Sequence, residues 1–85
     1  MVNQQYSAIR ARLVEIFETI LKRPIGPDEI VRRLDEKRWD SLLHVELVFV
    51  VEDAFNIAFA PEDLDKLVSL EAFVEVVASL VENTA

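Results

Sequence analysis

The chain has 85 residues, of which 52% are hydrophobic and 29% are charged, and this predicts a single small domain over residues 1–85. It contains no cysteine and one histidine, His44, which excludes disulfide scaffolds and Cys- or His-rich metal sites and argues against a histidine-based catalytic set. The net charge of −7 argues against nucleic-acid binding, which requires a basic face.

Charge is unevenly distributed along the sequence. Residues 1–39 contain eight basic and six acidic residues, whereas residues 40–85 contain ten acidic residues and one basic residue, Lys66. The second half therefore has a strongly negative surface, and a protein that docks there should be basic. Charge alone also fits an acidic face that only keeps the protein in solution.

No targeting or membrane-spanning segment is expected. Residues 1–5 lack the basic cluster and apolar run of a signal peptide, and the longest apolar run, residues 47–51, is far below the ~18 residues of a transmembrane helix. We therefore expect a cytoplasmic protein without a membrane span, and we expect it to be a monomer.

The first predicted element is an amphipathic helix over residues 4–22. Apolar residues recur there at three- and four-residue spacing, and Pro24 follows as a stop. Gly26, the only glycine, marks a loop. Residues 28–39 contain three apolar side chains that either form one helical turn or anchor a long loop on the core: Ile30, Val31 and Leu34.

A second helix is predicted from Ser41 to about Phe55, with Asp40 as its N-terminal cap. This segment contains many valines, which favour strands, but it lacks the alternation of a strand and is long for one. It also contains neither glycine nor proline, so a helix is the better prediction.

Two shorter stretches complete the predicted fold. Pro61 starts a short third helix that ends near Lys66, and Ser69 caps a fourth helix over residues 70–82. The predicted fold class is therefore all-α: a small four-helix bundle with three main helices, a short third helix and a long loop between helices 1 and 2.

Two apolar stripes run along the second helix. One follows helical spacing and is the expected core face: Leu47, Val48, Val51 and Phe55. The other lies on a different face and is flanked by acidic residues: Leu42, Val45 and Phe49, with Glu46, Glu52 and Asp53. Such a stripe is typical of a helix that docks on a partner with a basic rim. Packing of this stripe under the long loop fits the same pattern.

The start of the second helix is a candidate modification site. If Asp40 caps the helix, Ser41 is its first residue, and the backbone does not need its hydroxyl. The side chain then points outward near unpaired N–H groups at the positive end of the helix dipole, where a phosphate ester is favoured. Asp and Ser also cluster at helix starts for capping alone, so the tripeptide Asp-Ser-Leu is weak evidence by itself.

The combination of motifs resembles a known family. Asp40-Ser41-Leu42, Val45-Glu46-Leu47 and Val51-Glu52-Asp53-Ala54-Phe55 are together similar to the signature of the acyl carrier proteins. These are small acidic four-helix bundles in which the serine of Asp-Ser-Leu carries 4′-phosphopantetheine. With Trp39 before the motif and His44 after it, the chain resembles stand-alone carriers of specialised pathways. Many relatives have a glycine shortly before the motif, where this chain has Glu-Lys-Arg-Trp at residues 36–39.

The resemblance implies roles for the matched residues. Ser41 would carry the 4′-phosphopantetheine arm as a phosphodiester, and Asp40 would lie next to the transferase site. Six residues would form the face presented to partner enzymes: Leu42, Val45, Glu46, Phe49, Glu52 and Asp53. The implied partners are a phosphopantetheinyl transferase and acyl-loading and acyl-processing enzymes with basic docking surfaces. No catalytic residue and no metal site is implied.

We therefore expect an acyl carrier protein. It would hold acyl intermediates as thioesters on the arm and deliver them to enzymes of a fatty-acid, polyketide or other specialised acyl pathway. Two alternatives stay open: an aminoacyl or peptidyl carrier, and an unmodified acidic helical module that binds a basic partner. An enzyme is not expected, because the sequence offers no nucleophile–base pair, glycine-rich phosphate loop or metal-ligand set.

Aromatic residues and the histidine complete the expectations. Trp39 is expected to close over the start of the second helix as a hydrophobic staple. His44, about one turn after Ser41, is expected to be an exposed helix residue. Five aromatic residues are expected in the core: Tyr6, Phe17, Phe55, Phe59 and Phe73.

Overall fold

The computed structural model describes residues 2–83 of the chain. The described part contains four α-helices: α1 (Val2–Leu21), α2 (Ser41–Phe55), α3 (Pro61–Leu64) and α4 (Leu70–Asn83). A single 3₁₀ turn, Arg33–Asp35, interrupts the loop between α1 and α2. The all-α, four-helix prediction is therefore confirmed, and α3 ends two residues earlier than expected. No helix within residues 2–83 is long and apolar enough to cross a membrane.

The first helix supplies one wall of the core because its apolar residues share one face. Among its side chains from residue 5 onward, five are buried: Ile9, Leu13, Ile16, Phe17 and Leu21. The helix ends where Lys22 adopts a left-handed backbone conformation with φ of 61°, and the Lys22 N–H donates to the Glu18 carbonyl at 2.8 Å. Pro24 follows, as the sequence predicts. The buried face of α1 packs against both α2 and α4.

Aromatic rings form the centre of the core. Phe17 meets Trp39 and Phe73 edge to face, with ring centroids 5.3 Å and 5.2 Å apart. This geometry is the preferred one for aromatic pairs. The core prediction is confirmed for Phe17 and Phe73, whereas Tyr6, Phe55 and Phe59 are partly buried and pack against the core from its edge.

Ion pairs and one backbone bridge order the long loop. Arg23 pairs with Glu29 and Glu36, and its hydrogen bond lowers the pKa of Glu29. Further along, the Arg33 N–H donates to the Val68 carbonyl and the Leu70 N–H donates to the Val31 carbonyl, both at 2.9 Å. These two bonds join the loop to the segment between α3 and α4.

The alternative in which three apolar residues anchor this loop on the core holds for only one of them. Val31 is buried in the core, but Ile30 is 73% exposed and Leu34 is 97% exposed. The backbone bridge beside Val31 fixes the chain direction, and adjacent side chains of an extended segment point to opposite faces. Leu34 lies in the 3₁₀ turn Arg33–Asp35, whereas Ile30 and Val31 lie outside it, so the three residues do not form one helical turn either.

Polar caps set the ends of the short connections. Ser69 caps α4 as predicted, because its hydroxyl accepts a hydrogen bond from the Ala72 N–H at 3.0 Å. Pro61 is the first residue of α3, and the Asp63 carboxylate accepts from the Ala60 N–H at 3.1 Å. Asn56 ends α2 in a left-handed conformation with φ of 56°.

Removal of the Phe17 ring tests this description of the core. We expect Phe17→Ala to lower the free energy of unfolding by about 3–5 kcal/mol, because it deletes a fully buried ring and leaves a cavity. Phe49→Ala, at a residue that is 66% exposed, is the matched control and should change it by only about 0.5 kcal/mol. Urea unfolding measures both values. Equal losses would contradict the assignment of these two rings to core and surface.

Candidate functional site

The start of α2 is fixed by Asp40. Its backbone is extended, with φ of −91° and ψ of −170°, and its carboxylate accepts a hydrogen bond from the Leu43 N–H at 2.9 Å. Its carbonyl also accepts from the His44 N–H at 2.9 Å. This is the geometry of an N-terminal cap, so the predicted capping role of Asp40 is confirmed.

Because Asp40 caps the helix, Ser41 is left as its first residue with an uncommitted side chain. Ser41 is exposed, and its hydroxyl has no hydrogen-bond partner within the described residues. The backbone N–H groups of Ser41 and Leu42 also lack an acceptor in that part of the chain. A free hydroxyl beside two free N–H donors and the positive helix end fits a phosphodiester.

Trp39 holds this helix start against the core. The side chain is 3% exposed, and its indole N–H donates to His44 Nδ1 at 3.0 Å. The Trp39 and His44 rings also stack, with centroids 6.1 Å apart and an angle of 24° between their planes. A residue before the cap that packs on the fourth helical residue is a hydrophobic staple, so the staple prediction is confirmed.

The prediction that His44 is an exposed helix residue is wrong. Its ring is partly buried between the rings of Trp39 and Phe73. The centroids of the His44 and Phe73 rings lie 6.2 Å apart. Burial lowers the pKa of His44, and the positive charge of Arg33 lowers it further. The helical spacing of His44 did not reveal this, since the Trp39 ring that covers it belongs to the preceding loop.

The apolar stripe flanked by acids lies at the surface of α2. Leu42 is 83% exposed, Val45 is 50% exposed and Phe49 is 66% exposed, so packing of this stripe under the long loop is ruled out. Glu46 and Asp53 are exposed beside it. We call Leu42, Val45, Glu46, Phe49, Glu52 and Asp53 the acidic face.

One member of the acidic face has a second contact. Glu52 is partly buried, and its carboxylate accepts a hydrogen bond from the Phe59 N–H at 2.8 Å. It therefore holds the loop between α2 and α3 while lying at the edge of the face. Glu52 and Phe59 are seven positions apart in the sequence, and no local sequence pattern predicts a hydrogen bond between them.

The opposite face of α2 packs as predicted. Leu47 and Val51 are fully buried, whereas Val48 and Phe55 are partly buried against the core. The helix thus uses one apolar stripe for the fold and leaves the other in solvent. An exposed apolar stripe with acidic neighbours is suited to reversible contact with a basic protein surface.

A comparison with protein families identifies the class of protein. The family model for the phosphopantetheine attachment site matches residues 11–77, which is most of the chain. The chain therefore belongs to this family of carrier proteins, whose domain is the attachment site for covalently bound 4′-phosphopantetheine. Comparison with curated proteins finds no match, and comparison with solved structures finds none either.

The burial of His44 gives a pH-dependent prediction. Its pKa in the folded protein should lie below the ordinary value of 6.5, and one titrating histidine makes the NMR measurement unambiguous. The unfolded chain then takes up a proton at a higher pH than the folded one, so the free energy of unfolding falls as the pH drops below about 6.5.

The variant His44→Asn provides the control for this titration. An asparagine oxygen can still accept the Trp39 N–H, but the side chain does not titrate. The loss of stability between pH 7.5 and pH 5.5 should therefore be smaller in this variant than in the unaltered protein. A histidine pKa at or above 6.5 would contradict the burial of the ring.

Proposed function

We propose that this protein is an acyl carrier protein whose 4′-phosphopantetheine arm is attached to Ser41. The observation that carries the proposal is the free, exposed hydroxyl of Ser41 at the first position of α2. Asp40 supports it indirectly, because its carboxylate satisfies the Leu43 N–H and leaves the serine hydroxyl available.

Comparison of the four serines favours the same residue. Only Ser41 and Ser69 lie within residues 11–77, the span matched by the family. The Ser69 hydroxyl is already bonded to the Ala72 N–H as the cap of α4. Ser7 and Ser79 are exposed, but both lie inside helices and outside the matched span. Ser41 is the serine that combines the matched span with an unbonded hydroxyl.

The chemistry required of the chain itself is limited. In the attachment step the Ser41 oxygen bonds to the phosphorus that bears pantetheine, and the bond from that phosphorus to the bridging oxygen of the diphosphate breaks. Adenosine 3′,5′-bisphosphate leaves with the bridging oxygen, and the hydroxyl proton passes to the transferase. When bound, the arm supplies a thiol that holds an acyl group as a thioester. The chain has no cysteine, so it offers no competing thiol.

We further propose that the acidic face docks the transferase and the acyl-loading and acyl-processing enzymes. Exposed Leu42 and Phe49 would supply apolar contact, and Glu46 and Asp53 would steer basic surfaces toward it. Weak, reversible contact suits a carrier that visits several enzymes in turn, and tethering raises the local concentration of the cargo at each of them.

The acidic character of α2 favours acyl cargo over aminoacyl or peptidyl cargo. The proposed setting is a fatty-acid, polyketide or other specialised acyl pathway in the cytoplasm, in which the protein is a carrier and the enzymes it visits do the catalysis. Membership of the phosphopantetheine family disfavours the alternative of an unmodified interaction module, because such a module has no use for an attachment serine.

Intact-mass measurement tests the attachment. Incubation with coenzyme A, Mg²⁺ and a phosphopantetheinyl transferase should add the mass of one phosphopantetheine to the unaltered chain and nothing to Ser41→Ala. The control variant Ser79→Ala removes another exposed hydroxyl and should be modified normally. A chain that never gains mass, or a Ser41→Ala chain that still gains it, would overturn the proposal.

Charge reversal tests the docking role of the acidic face. We expect Asp53→Lys to lower kcat/KM of the transferase roughly tenfold at low salt, because it weakens electrostatic steering, and we expect the difference to shrink at high salt. Glu75→Lys makes the same change at an exposed residue of α4 and serves as the control. Equal effects of the two charge reversals on kcat/KM would show that net charge alone controls the association, and this result would contradict docking on the acidic face.

A further inference from the structure

A groove of about 860 Å³ lies outside the acidic face, where the long loop meets the segment between α3 and α4. Buried Val31 and Trp39 contribute to its lining, and three exposed apolar side chains surround them: Ile30, Leu34 and Val68. We call this the loop groove. Its volume is in the range of pockets that accommodate small-molecule ligands.

The apolar rim of the loop groove is exposed and held in place. Leu34, Ile30 and Val68 are 97%, 73% and 55% exposed, which is a concentration of apolar surface that usually marks a binding site. The hydrogen bonds of Arg33 with Val68 and of Leu70 with Val31, both 2.9 Å long, tie the two sides of the groove together. The backbone on the two sides of the groove is therefore held in place, which lowers the cost of ordering it around a ligand.

Arg33 lines the loop groove and contacts the chain close to Ser41. The Arg33 Nε donates to the Trp39 carbonyl at 3.3 Å, and Trp39 precedes Ser41 by two residues. Arg33 forms no salt bridge within the described residues, whereas neighbouring Arg32 pairs with Asp35 at 2.8 Å. Arg33 is thus a groove-lining cation that has no carboxylate partner within the described residues and contacts the carbonyl two residues before Ser41.

We propose that the loop groove receives the protein's own phosphopantetheine arm, with Arg33 pairing with the phosphodiester and the apolar rim covering the cargo. This inference rests on attachment at Ser41. Two residues span at most ~7 Å, so an anion on Ser41 lies within reach of a guanidinium that contacts the Trp39 carbonyl. Docked in this way, the thioester is shielded from water while the acidic face stays free for enzymes.

A second groove, between α2 and α3, is the competing location for the arm. It measures about 300 Å³ and its lining includes Val45 and Phe49 of the acidic face. Its charged lining residue is Glu52, which would repel the phosphodiester, and neither lysine nor arginine contributes to it. The loop groove is also lined by one glutamate, Glu71, but that carboxylate pairs with Arg10 at 2.7 Å, and two arginines line the groove as well. An arm in this groove would also obstruct docking. Volume and charge therefore both favour the loop groove.

The absence of cysteine makes the arm easy to label. In the holo protein the thiol of the arm is the only thiol, so a thiol-reactive nitroxide attaches there alone. Paramagnetic broadening of amide NMR signals then reports where the end of the arm lies. We expect the strongest broadening at Ile30, Leu34 and Val68, with weaker effects at Phe59 and Leu64 on the α2–α3 side.

Two variants test the proposed contacts. Arg33→Gln should reduce the docked population of the arm roughly two- to fivefold, as expected for one partly exposed ion pair, and should shift the ³¹P resonance of the phosphodiester. Arg12→Gln, at an exposed arginine of α1 that does not line the loop groove, is the matched control and should leave both signals unchanged. Leu34→Ser, at a nearly fully exposed residue, should increase the mobility of the nitroxide without changing the fold. Leu64→Ser, at a residue of the α2–α3 groove, should leave the mobility of the nitroxide unchanged.

The outcomes separate this inference from the proposed function. Broadening centred on Val45, Phe59 and Leu64 would place the arm between α2 and α3 and overturn the inference, while attachment at Ser41 would stand. Uniform weak broadening with a freely tumbling nitroxide would also overturn it. Failure of Ser41 to acquire the arm, detected beforehand by intact mass, would overturn the proposed function and this inference together.

Discussion

The burial of Trp39 is the constraint on which the rest of the site depends. Its ring packs against Phe17 and bonds to His44, which fixes the residue before α2 in the core and the first turn of α2 above it. Asp40 is then held in the extended conformation of a cap. Once Asp40 satisfies the Leu43 N–H, Ser41 has no structural task and presents its hydroxyl to solvent.

The same arrangement divides the surface of a very small protein between two roles. One face of α2 is taken by the core, and the other leaves Leu42, Phe49 and two exposed acids in solvent. Arg33 and the loop groove lie outside the acidic face, and most of the groove lining comes from residues 1–39, which contain eight basic and six acidic residues. In our proposal, enzymes contact the acidic side and the arm rests on the basic side, so both can be occupied together.

Features encoded by neighbouring residues could be predicted from the sequence. The helices, to within about two residues at their ends, the caps Asp40 and Ser69, and the second apolar stripe of α2 follow from spacing and local hydrogen bonding. The exposure of that stripe does not follow, because packing under the long loop fits the same spacing. Features created by distant contacts could not. His44 is covered by a ring from the loop, Glu52 reaches Phe59, and a bridge to Ser69 turns Ile30 outward. The hydrogen bond from Arg33 to the Trp39 carbonyl also depends on the conformation of the loop, which the sequence pattern does not predict.

Proteolysis and fragmentation of the modified chain identify directly the residue to which the arm is attached. Trypsin cleavage after Arg38 and Lys66 releases residues 39–66, in which Ser41 is the only side-chain hydroxyl. We expect the whole added mass on this peptide, and we expect its fragments to assign that mass to Ser41. Recovery of the added mass on a peptide that contains Ser7, Ser69 or Ser79 would contradict attachment at Ser41.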